Sequence, residues 1–367
     1  MADNTKIEWT DATWNPITGC AVVSPGCTNC YAMKLAGTRL KNHPSRKGLT
    51  KDTKARGVEG GARQGSKKGN PVWTGEMRFN REWLDQPLKW TKPRMIFVCA
   101  HGDLFAEGVP DEWIDQVFAI MPLCPQHTFQ VLTKRPDRMR DYLTGKLLEH
   151  RLVATQVQFE FDIPSPGRWP HLPLPNVWLG VSVEDQKSAD ERIPLLLDTP
   201  AAIRWISAEP LLGPVDLTWV DDGERDGCRL HFDALTGLAS DGEQSITGIF
   251  RQPDPKLDWV VAGGESGADA RPMHPDWARA LRDQCTAAGV PFLFKQWGQH
   301  KPVDITIHDG TELAGDWDGT FIAAPNGEFK RFAYEPGRMI AMLPVSKKAA
   351  GRLLDGIEHN GFPEVRR

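Results

Sequence analysis

Three cysteines lie close together near the start of the chain, at Cys20, Cys27 and Cys30, in a C-x6-C-x2-C spacing interrupted by glycine and proline. Three thiolates without an evident fourth ligand are the minimum set that holds an iron–sulfur cluster with one iron left open. A closed tetrahedral zinc site needs one more donor, for which His43 or Cys99 is available. The spacing therefore predicts a metal centre and leaves iron–sulfur and zinc as the two alternatives.

The composition is that of a globular protein of ordinary type. The 367 residues are 40% hydrophobic and 25% charged, and no apolar run approaches the length of a membrane span. The polar start is unlike a signal peptide, so we expect a cytoplasmic protein that does not act at a membrane. Seven cysteines in that compartment favour metal ligands and buried thiols over a disulfide framework.

The charge is unevenly distributed along the chain. Residues 34–70 contain eleven Lys and Arg against two acids, a net charge of +9, whereas the remainder carries −13. Such a segment could hold the phosphates of a nucleic acid or a nucleotide, since clustered cations supply sequence-independent affinity. It could equally be a solvated, mobile surface loop.

From residue 90 onwards, short apolar runs alternate with amphipathic stretches. We predict strands at residues 94–100, 128–132, 177–183, 203–207, 257–262 and 291–295, after a possible first strand near residues 14–17. Helices are predicted at residues 110–121, 189–197 and 277–288. Apolar strands separated by helices indicate a parallel sheet covered on both faces. The predicted fold is α/β, a partial or full TIM-like barrel of parallel β/α units, with an open doubly wound sheet as the alternative.

Polar side chains follow the predicted strands, at the edge where such folds place their sites. The cysteine loop follows the possible first strand and should open onto the same mouth. His101 and Asp103 could form a proton relay, although a histidine of this kind is more often structural. The strand-end residues are Asp103, Lys134, Arg135, Glu184, Glu209, Glu265 and Lys295.

The predicted domain organisation has two parts. Residues 1–300 form the barrel domain, with the basic loop at 34–70 and an insertion at 215–256 that suits a small β-hairpin. Residues 301–367 form a C-terminal extension that packs on the barrel, with a helix at 347–356 stopped by glycine.

The three-cysteine loop at the head of this series resembles the radical S-adenosylmethionine (radical SAM) superfamily. More narrowly, several short motifs resemble a family of phage and prophage proteins that is usually described as radical-SAM-like. Genes of that family often neighbour one for a three-Cys-motif partner protein. The motifs are Trp14-Asn15-Pro16, Gly19-Cys20, Ser24-Pro25-Gly26-Cys27, Cys30-Tyr31-Ala32, Ala208-Glu209-Pro210, Gly263-Gly264-Glu265-Ser266-Gly267 and the tail at 347–356.

The resemblance implies a specific chemistry for the loop. Cys20, Cys27 and Cys30 would each bind one iron of a [4Fe–4S] cluster, and S-adenosylmethionine would bind the fourth iron. One electron from a donor protein would cleave it to a 5′-deoxyadenosyl radical that modifies or repairs a substrate, for which a nucleic acid or nucleotide is our best candidate. The loop departs from the common C-x3-C-x2-C pattern, since its first gap is six residues and its aromatic residue, Tyr31, follows the last cysteine.

The resemblance also suggests residues for S-adenosylmethionine. Gly263, Gly264 and Glu265 are similar to the glycine-rich turn that meets the methionine end of that cofactor, although a plain tight turn is an equal interpretation. Glu184 and Glu209 could hold ribose hydroxyls or form salt bridges. Arg271, like Lys134 and Arg135, could bind a carboxylate or phosphate.

Two other classes of function remain open. The protein could be a zinc-stapled nucleic-acid-binding or partner protein without redox activity. It could also be a degenerate barrel that serves only as the partner of a neighbouring gene product.

Overall fold

Seven strands form one strongly curled parallel sheet, comparable to half of a barrel, in which the strands follow one another in chain order. This arrangement confirms the predicted α/β class and is compatible with a partial TIM-like barrel. The computed structural model describes residues 5–53, 70–158, 171–225, 228–240, 245–246, 255–267, 269–304, 319–323, 329–333 and 340–364. The seven strands are β1 (Ala12–Trp14), β2 (Met95–Val98), β3 (Thr128–Thr133), β4 (Val177–Ser182), β5 (Ile203–Ala208), β6 (Trp259–Gly263) and β7 (Phe292–Gln296).

The apolar runs in the sequence become strands because both of their faces are covered. Every residue of β4 and of β6 is buried, so neither strand shows the alternation of a half-exposed strand. The boundaries lie within about two residues of the predicted ones. β2 ends before the predicted residue 100 because Cys99 adopts a φ of 54°, a left-handed conformation that interrupts extended backbone.

Seven α-helices are described, and none of the described helices is both long and apolar enough to cross a bilayer. Three of them confirm the helices predicted at 110–121, 189–197 and 277–288 within about three residues, but the predicted helix at 347–356 is wrong beyond Ala350. There Gly351 has a φ of 78° and ends the helix after one turn. The helices are α1 (Tyr31–Gly37), α2 (Asp111–Ile120), α3 (Pro136–Leu143), α4 (Leu148–Gln158), α5 (Gln186–Leu197), α6 (Pro275–Ala288) and α7 (Lys347–Ala350).

Small sheets account for the remaining strands. The predicted insertion at 215–256 contains a four-stranded antiparallel sheet of Val220–Arg225, Cys228–Asp233, Leu238–Ser240 and Ser245–Ile246. A second four-stranded sheet joins His300–Asp304, Gly319–Ala323, Phe329–Ala333 and Ile340–Pro344. Ile17–Thr18 pairs with Arg78–Phe79, one strand on each side of the basic segment. Thr50–Asp52, inside that segment, pairs with Pro71–Trp73, and residues 54–69 lie outside the described part.

The chain divides into two compact units. The first comprises Met1–Ser182, Glu191–Ile206 and Gln252–Asp258, and the second comprises Val183–Asp190, Ser207–Arg251 and Trp259–Arg367. The boundary predicted at residue 300 falls inside the second unit.

The core of the first unit contains a close contact between a glycine and a tryptophan. Trp205 is fully buried and packs edge-on against Trp9, with 5.1 Å between the ring centroids. A Cβ atom on Gly180 of β4 would lie 2.5 Å from the Trp205 ring. β4 therefore requires glycine at this position, because a buried indole ring has no room to retreat.

We expect Gly180→Ala to destabilise the protein by about 1–3 kcal/mol, the usual cost of overpacking a core. Urea unfolding followed by circular dichroism measures the change. Gly108→Ala is the control, because its methyl group would meet the flexible Met77 side chain at 3.2 Å. Equal stability of the two variants would contradict the packing argument.

The C-terminal segment of the second unit lies along β7. Asn360 bridges Leu293 in antiparallel fashion, and the Phe294 N–H donates to the carbonyl of His359 at 3.0 Å. Asp355 anchors the segment to α6 through Arg279 at 2.7 Å and Arg282 at 2.6 Å. Hydrogen bonds from Arg279 above all hold the pKa of Asp355 near 2, below its ordinary value.

We expect Asp355→Asn to lower the free energy of unfolding at pH 7 by about 0.5–1 kcal/mol, since partly exposed ion pairs are screened by solvent. Asparagine tolerates the φ of 53° at this position, so the variant tests the charge. A depressed native pKa gives stability that is present above pH 4 and lost as the pH falls towards 2. Urea unfolding between pH 7 and pH 3 should show the two proteins converging, and a constant difference would contradict the assignment.

Candidate functional site

The cysteine loop is anchored to the carboxyl end of β2. Gly19 has a φ of 101°, and a Cβ atom there would lie 2.2 Å from the carbonyl oxygen of Glu76, so only glycine fits. The Gly19 N–H donates to the His101 carbonyl at 3.2 Å, and Gly19 also bridges Gly102. The structure thus confirms that the loop lies at the strand-end edge within the first unit.

Short helical turns arrange the three cysteines. A 3-10 turn spans Pro25–Cys27, and Cys30 immediately precedes α1. Cys27 is buried, whereas Cys20 and Cys30 are partly exposed. The other cysteines with described side chains, Cys99, Cys124 and Cys285, are buried.

Two consecutive cations at the end of β3 lie beside the loop. The Arg135 guanidinium donates to the Cys20 sulfur at 3.6 Å and to the Asp103 carboxylate at 3.1 Å. Lys134 interacts electrostatically with Cys27 and Cys30. Together these two residues place positive charge next to all three cysteines.

The thiols are not equivalent. Burial, reinforced by the nearby Asp103 carboxylate, raises the pKa of Cys20 to about 12. Burial also raises the pKa of Cys30. For Cys27, burial acts in the same direction, but Lys134 and hydrogen bonds from the backbone and side chain of Ser24 outweigh it and lower its pKa. Cys27 is therefore the cysteine that most readily supplies a thiolate.

The donor set fits an iron–sulfur or zinc centre in its chemistry but is not preassembled. Among the described residues, no group of three His, Cys, Asp or Glu side chains is gathered tightly enough to hold a metal ion. The two fourth ligands considered for zinc have other surroundings. His43 hydrogen-bonds to Ser45 at 2.7 Å, and Cys99 is 2% exposed, with a pKa raised by burial to about 12.

Asp103 and His101 do not form the relay considered from the sequence. His101 instead binds the buried Arg46, whose guanidinium donates to the His101 Nδ1 at 2.9 Å. Burial and Arg46 lower the pKa of His101 to about 4, so the imidazole is neutral near pH 7. The backbone N–H of His101 also donates to the side-chain oxygen of Asn15. This histidine therefore has a structural role.

The second unit brings several of the predicted cofactor residues together. A Cβ atom on Gly263 would lie 3.6 Å from the Glu209 carboxyl carbon. A Cβ atom on Gly264 would lie 2.1 Å from the Trp297 carbonyl oxygen. Only glycine fits here, because the two backbone segments pack closely. Glu265 is 5% exposed, and its carboxylate accepts from the Arg271 guanidinium at 2.6 Å.

Glu209 and Glu184 differ in their surroundings. Glu209 forms a largely buried ion pair with Lys295, with N–O distances of 2.6 and 2.9 Å. Glu184 is 1% exposed, so it is not a surface salt-bridge residue. The backbone carbonyl of Glu184 accepts from the Leu212 N–H at 2.7 Å, and the backbone carbonyl of Gly263 accepts from the Leu211 N–H at 3.1 Å. The backbone thus links Glu184 to the glycine turn.

Sequence reasoning missed two residues of this cluster. The Gln296 amide donates to Glu209 at 3.2 Å and to the Ser266 hydroxyl at 2.9 Å. Gln296 directly follows the predicted strand at 291–295, and Ser266 lies in the glycine motif after the predicted strand at 257–262, so the strand-end criterion that selected Glu209 could have found both.

A single comparison with known proteins gives a match. A family model described as "Protein of unknown function (DUF5131)" matches residues 4–363. No curated protein and no solved structure matches the chain. Because the family model covers almost the whole length, the chain belongs to the DUF5131 family.

Proposed function

We propose that this protein is a radical-SAM-type iron–sulfur enzyme whose [4Fe–4S] cluster is held by Cys20, Cys27 and Cys30. The observation that carries the proposal is the placement of these cysteines, in one loop at the carboxyl end of a parallel sheet, against Lys134 and Arg135. When bound, such a cluster supplies an open iron for S-adenosylmethionine and the electron that cleaves it.

The adjacent cations favour a centre with several thiolates. A buried anion is costly unless a counter-charge accompanies it. Lys134 lies within electrostatic reach of Cys27 and Cys30, and Arg135 donates directly to Cys20. A thiolate cluster would receive charge compensation at every ligand.

The ligand inventory favours an open centre over a closed zinc site. Four protein ligands are typical of structural zinc. The two residues considered as a fourth ligand are held in other environments, since His43 hydrogen-bonds to Ser45 and Cys99 is buried. A cluster with an open iron requires only the three cysteines of the loop.

The resemblance assigns several residues of the second unit to S-adenosylmethionine: Glu265 would accept from its ammonium, Glu209 would hold ribose hydroxyls and Arg271 would bind its carboxylate. In this structure Glu265 and Arg271 pair with each other and Glu209 pairs with Lys295, so the cofactor would have to replace these contacts. Gly263 and Gly264 have no side chains, so the backbone atoms of the turn are not covered at these two positions. These roles, and those of Glu184, stay predictions.

The substrate class follows from the charge of the sequence. The net charge of +9 over residues 34–70 favours a phosphate-bearing substrate, a nucleic acid or nucleotide. The electron donor, the partner protein and the relationship to phage proteins stay predictions.

We expect Cys27→Ala to abolish cluster binding in anaerobically purified, iron-reconstituted protein. Iron and sulfide content, the visible absorption of the cluster and reductive cleavage of S-adenosylmethionine to methionine and 5′-deoxyadenosine are the readouts. Cys285→Ala is the matched control, because Cys285 is a buried cysteine of α6 in the second unit and should leave all three unchanged.

Two outcomes would overturn the proposal. A colourless wild-type protein with stoichiometric zinc would favour the zinc-stapled alternative. Retention of the cluster and of cleavage by Cys27→Ala would show that the loop does not hold the centre.

We also expect Glu265→Gln to weaken binding of S-adenosylmethionine about tenfold, since a hydrogen bond to a charged group contributes about 1.5–3 kcal/mol. Calorimetric titration of the reconstituted protein measures the affinity, and iron content should not change. Glu358→Gln is the control, because Glu358 is an exposed glutamate whose contacts, a hydrogen bond from the Asn360 amide at 3.2 Å and a 3.9 Å contact to Arg352, lie in the C-terminal segment. Unchanged affinity in Glu265→Gln would remove Glu265 from the cofactor site.

A further inference from the structure

Arg135 makes more contacts than an ordinary surface arginine. It is the second residue after β3, immediately before α3, and is 4% exposed. One edge of its guanidinium meets the Glu107 carboxylate at 3.1–3.2 Å. Its terminal nitrogens bind Asp103 at 3.1 Å, the Ala21 carbonyl at 3.2 Å and the Cys20 sulfur at 3.6 Å. A single side chain thus joins the strand end to the first cysteine of the loop.

Asp103 holds this guanidinium in place. Its carboxylate accepts from the Thr133 hydroxyl at 2.7 Å, from the Phe105 N–H at 3.0 Å and from the Lys134 N–H at 3.1 Å. These donors belong to the ends of β3 and of the segment after β2, which are rigid parts of the first unit. The orientation of the guanidinium is therefore set by the sheet.

The loop between the first two cysteines lacks such support from its own side chains. Val22 and Val23 are 46% and 45% exposed and contribute little packing. Cys20 follows the anchored Gly19 and packs against the cluster of Ala32, Met33, Ala36, Leu49 and Trp73, whereas Cys27 ends a short turn and Cys30 precedes α1. The stretch after Cys20, beginning at Ala21, is consequently the part of the loop with the least support of its own.

We propose that Arg135 is a positioning residue that fixes Cys20 and Ala21 against the end of β3 and so gives the loop one closed arrangement. The planar fork of arginine is essential, because a lysine ammonium cannot reach Asp103, Glu107 and the loop together. This anchoring is a property of the protein without metal. Its consequence, a lower cost of gathering three thiolates around a cluster, rests on the proposed function.

The experiment measures how fast each cysteine of the reduced, metal-free, full-length protein reacts with iodoacetamide, using mass spectrometry. We expect Arg135→Lys to raise the labelling rate of Cys20 about tenfold, the equivalent of losing a hydrogen bond between charged groups. This variant keeps the positive charge, and loss of the hydrogen bond to the sulfur would disfavour the thiolate and slow labelling, so a faster rate reports access to the sulfur. The rates of Cys27 and of the buried Cys124 of the same unit should change less than about twofold.

Arg138→Lys is the matched control. Arg138 lies one turn further along α3 and binds Ala106, Val109 and Asp111, without contacting the cysteine loop. We expect wild-type labelling of Cys20 in this variant. An equal rise of Cys20 labelling in both arginine variants would overturn the proposal, as would an unchanged rate in Arg135→Lys.

A second variant decides the matter if Arg135→Lys opens the whole first unit and exposes the buried Cys124 of that unit as well. Glu107 is 64% exposed at its side chain, so Glu107→Gln should leave the fold intact while loosening one edge of the guanidinium. We expect an increase in Cys20 labelling alone, and no increase would refute the anchoring. If the labelling changes as expected but no cluster forms in wild-type protein, the proposed function fails while the role of Arg135 stands.

Discussion

The buried ion pair between Arg135 and Asp103 is the constraint on which the cysteine loop depends. Both side chains are at least 93% buried, so each would be strongly destabilising without the other. The pair is part of the strand ends of the first unit, and it extends to Cys20 through the same Nη1 atom and to Ala21 through Nη2. The ion pair thereby fixes the cysteine loop to the ends of the sheet strands. Proteins commonly hold functional side chains in place by attaching them to regular secondary structure.

Much of the fold could be predicted because its strands are apolar on both faces and short. β4 and β6 are continuous apolar runs, a pattern that an amphipathic helix does not produce. Errors arose where one residue's backbone geometry decides the boundary. Cys99 and Gly351, with φ values of 54° and 78°, end a strand and a helix that side-chain patterns would have continued.

The candidate site could be predicted only in its outline. Strand-end position correctly grouped Glu209, Lys295 and the glycine turn, because parallel strands bring their carboxyl ends to one edge. The partner of each polar side chain could not be predicted, because it depends on side-chain directions that short motifs do not encode. His101 pairs with Arg46, 55 residues away in sequence, and Arg135 reaches back 115 residues to Cys20.

The two compact units are interleaved along the chain. Each is assembled from three separate stretches, with crossings between them near residues 182, 190, 206, 251 and 258. No single cleavage of the polypeptide can separate the two units, because every cut leaves at least one fragment that carries stretches of both.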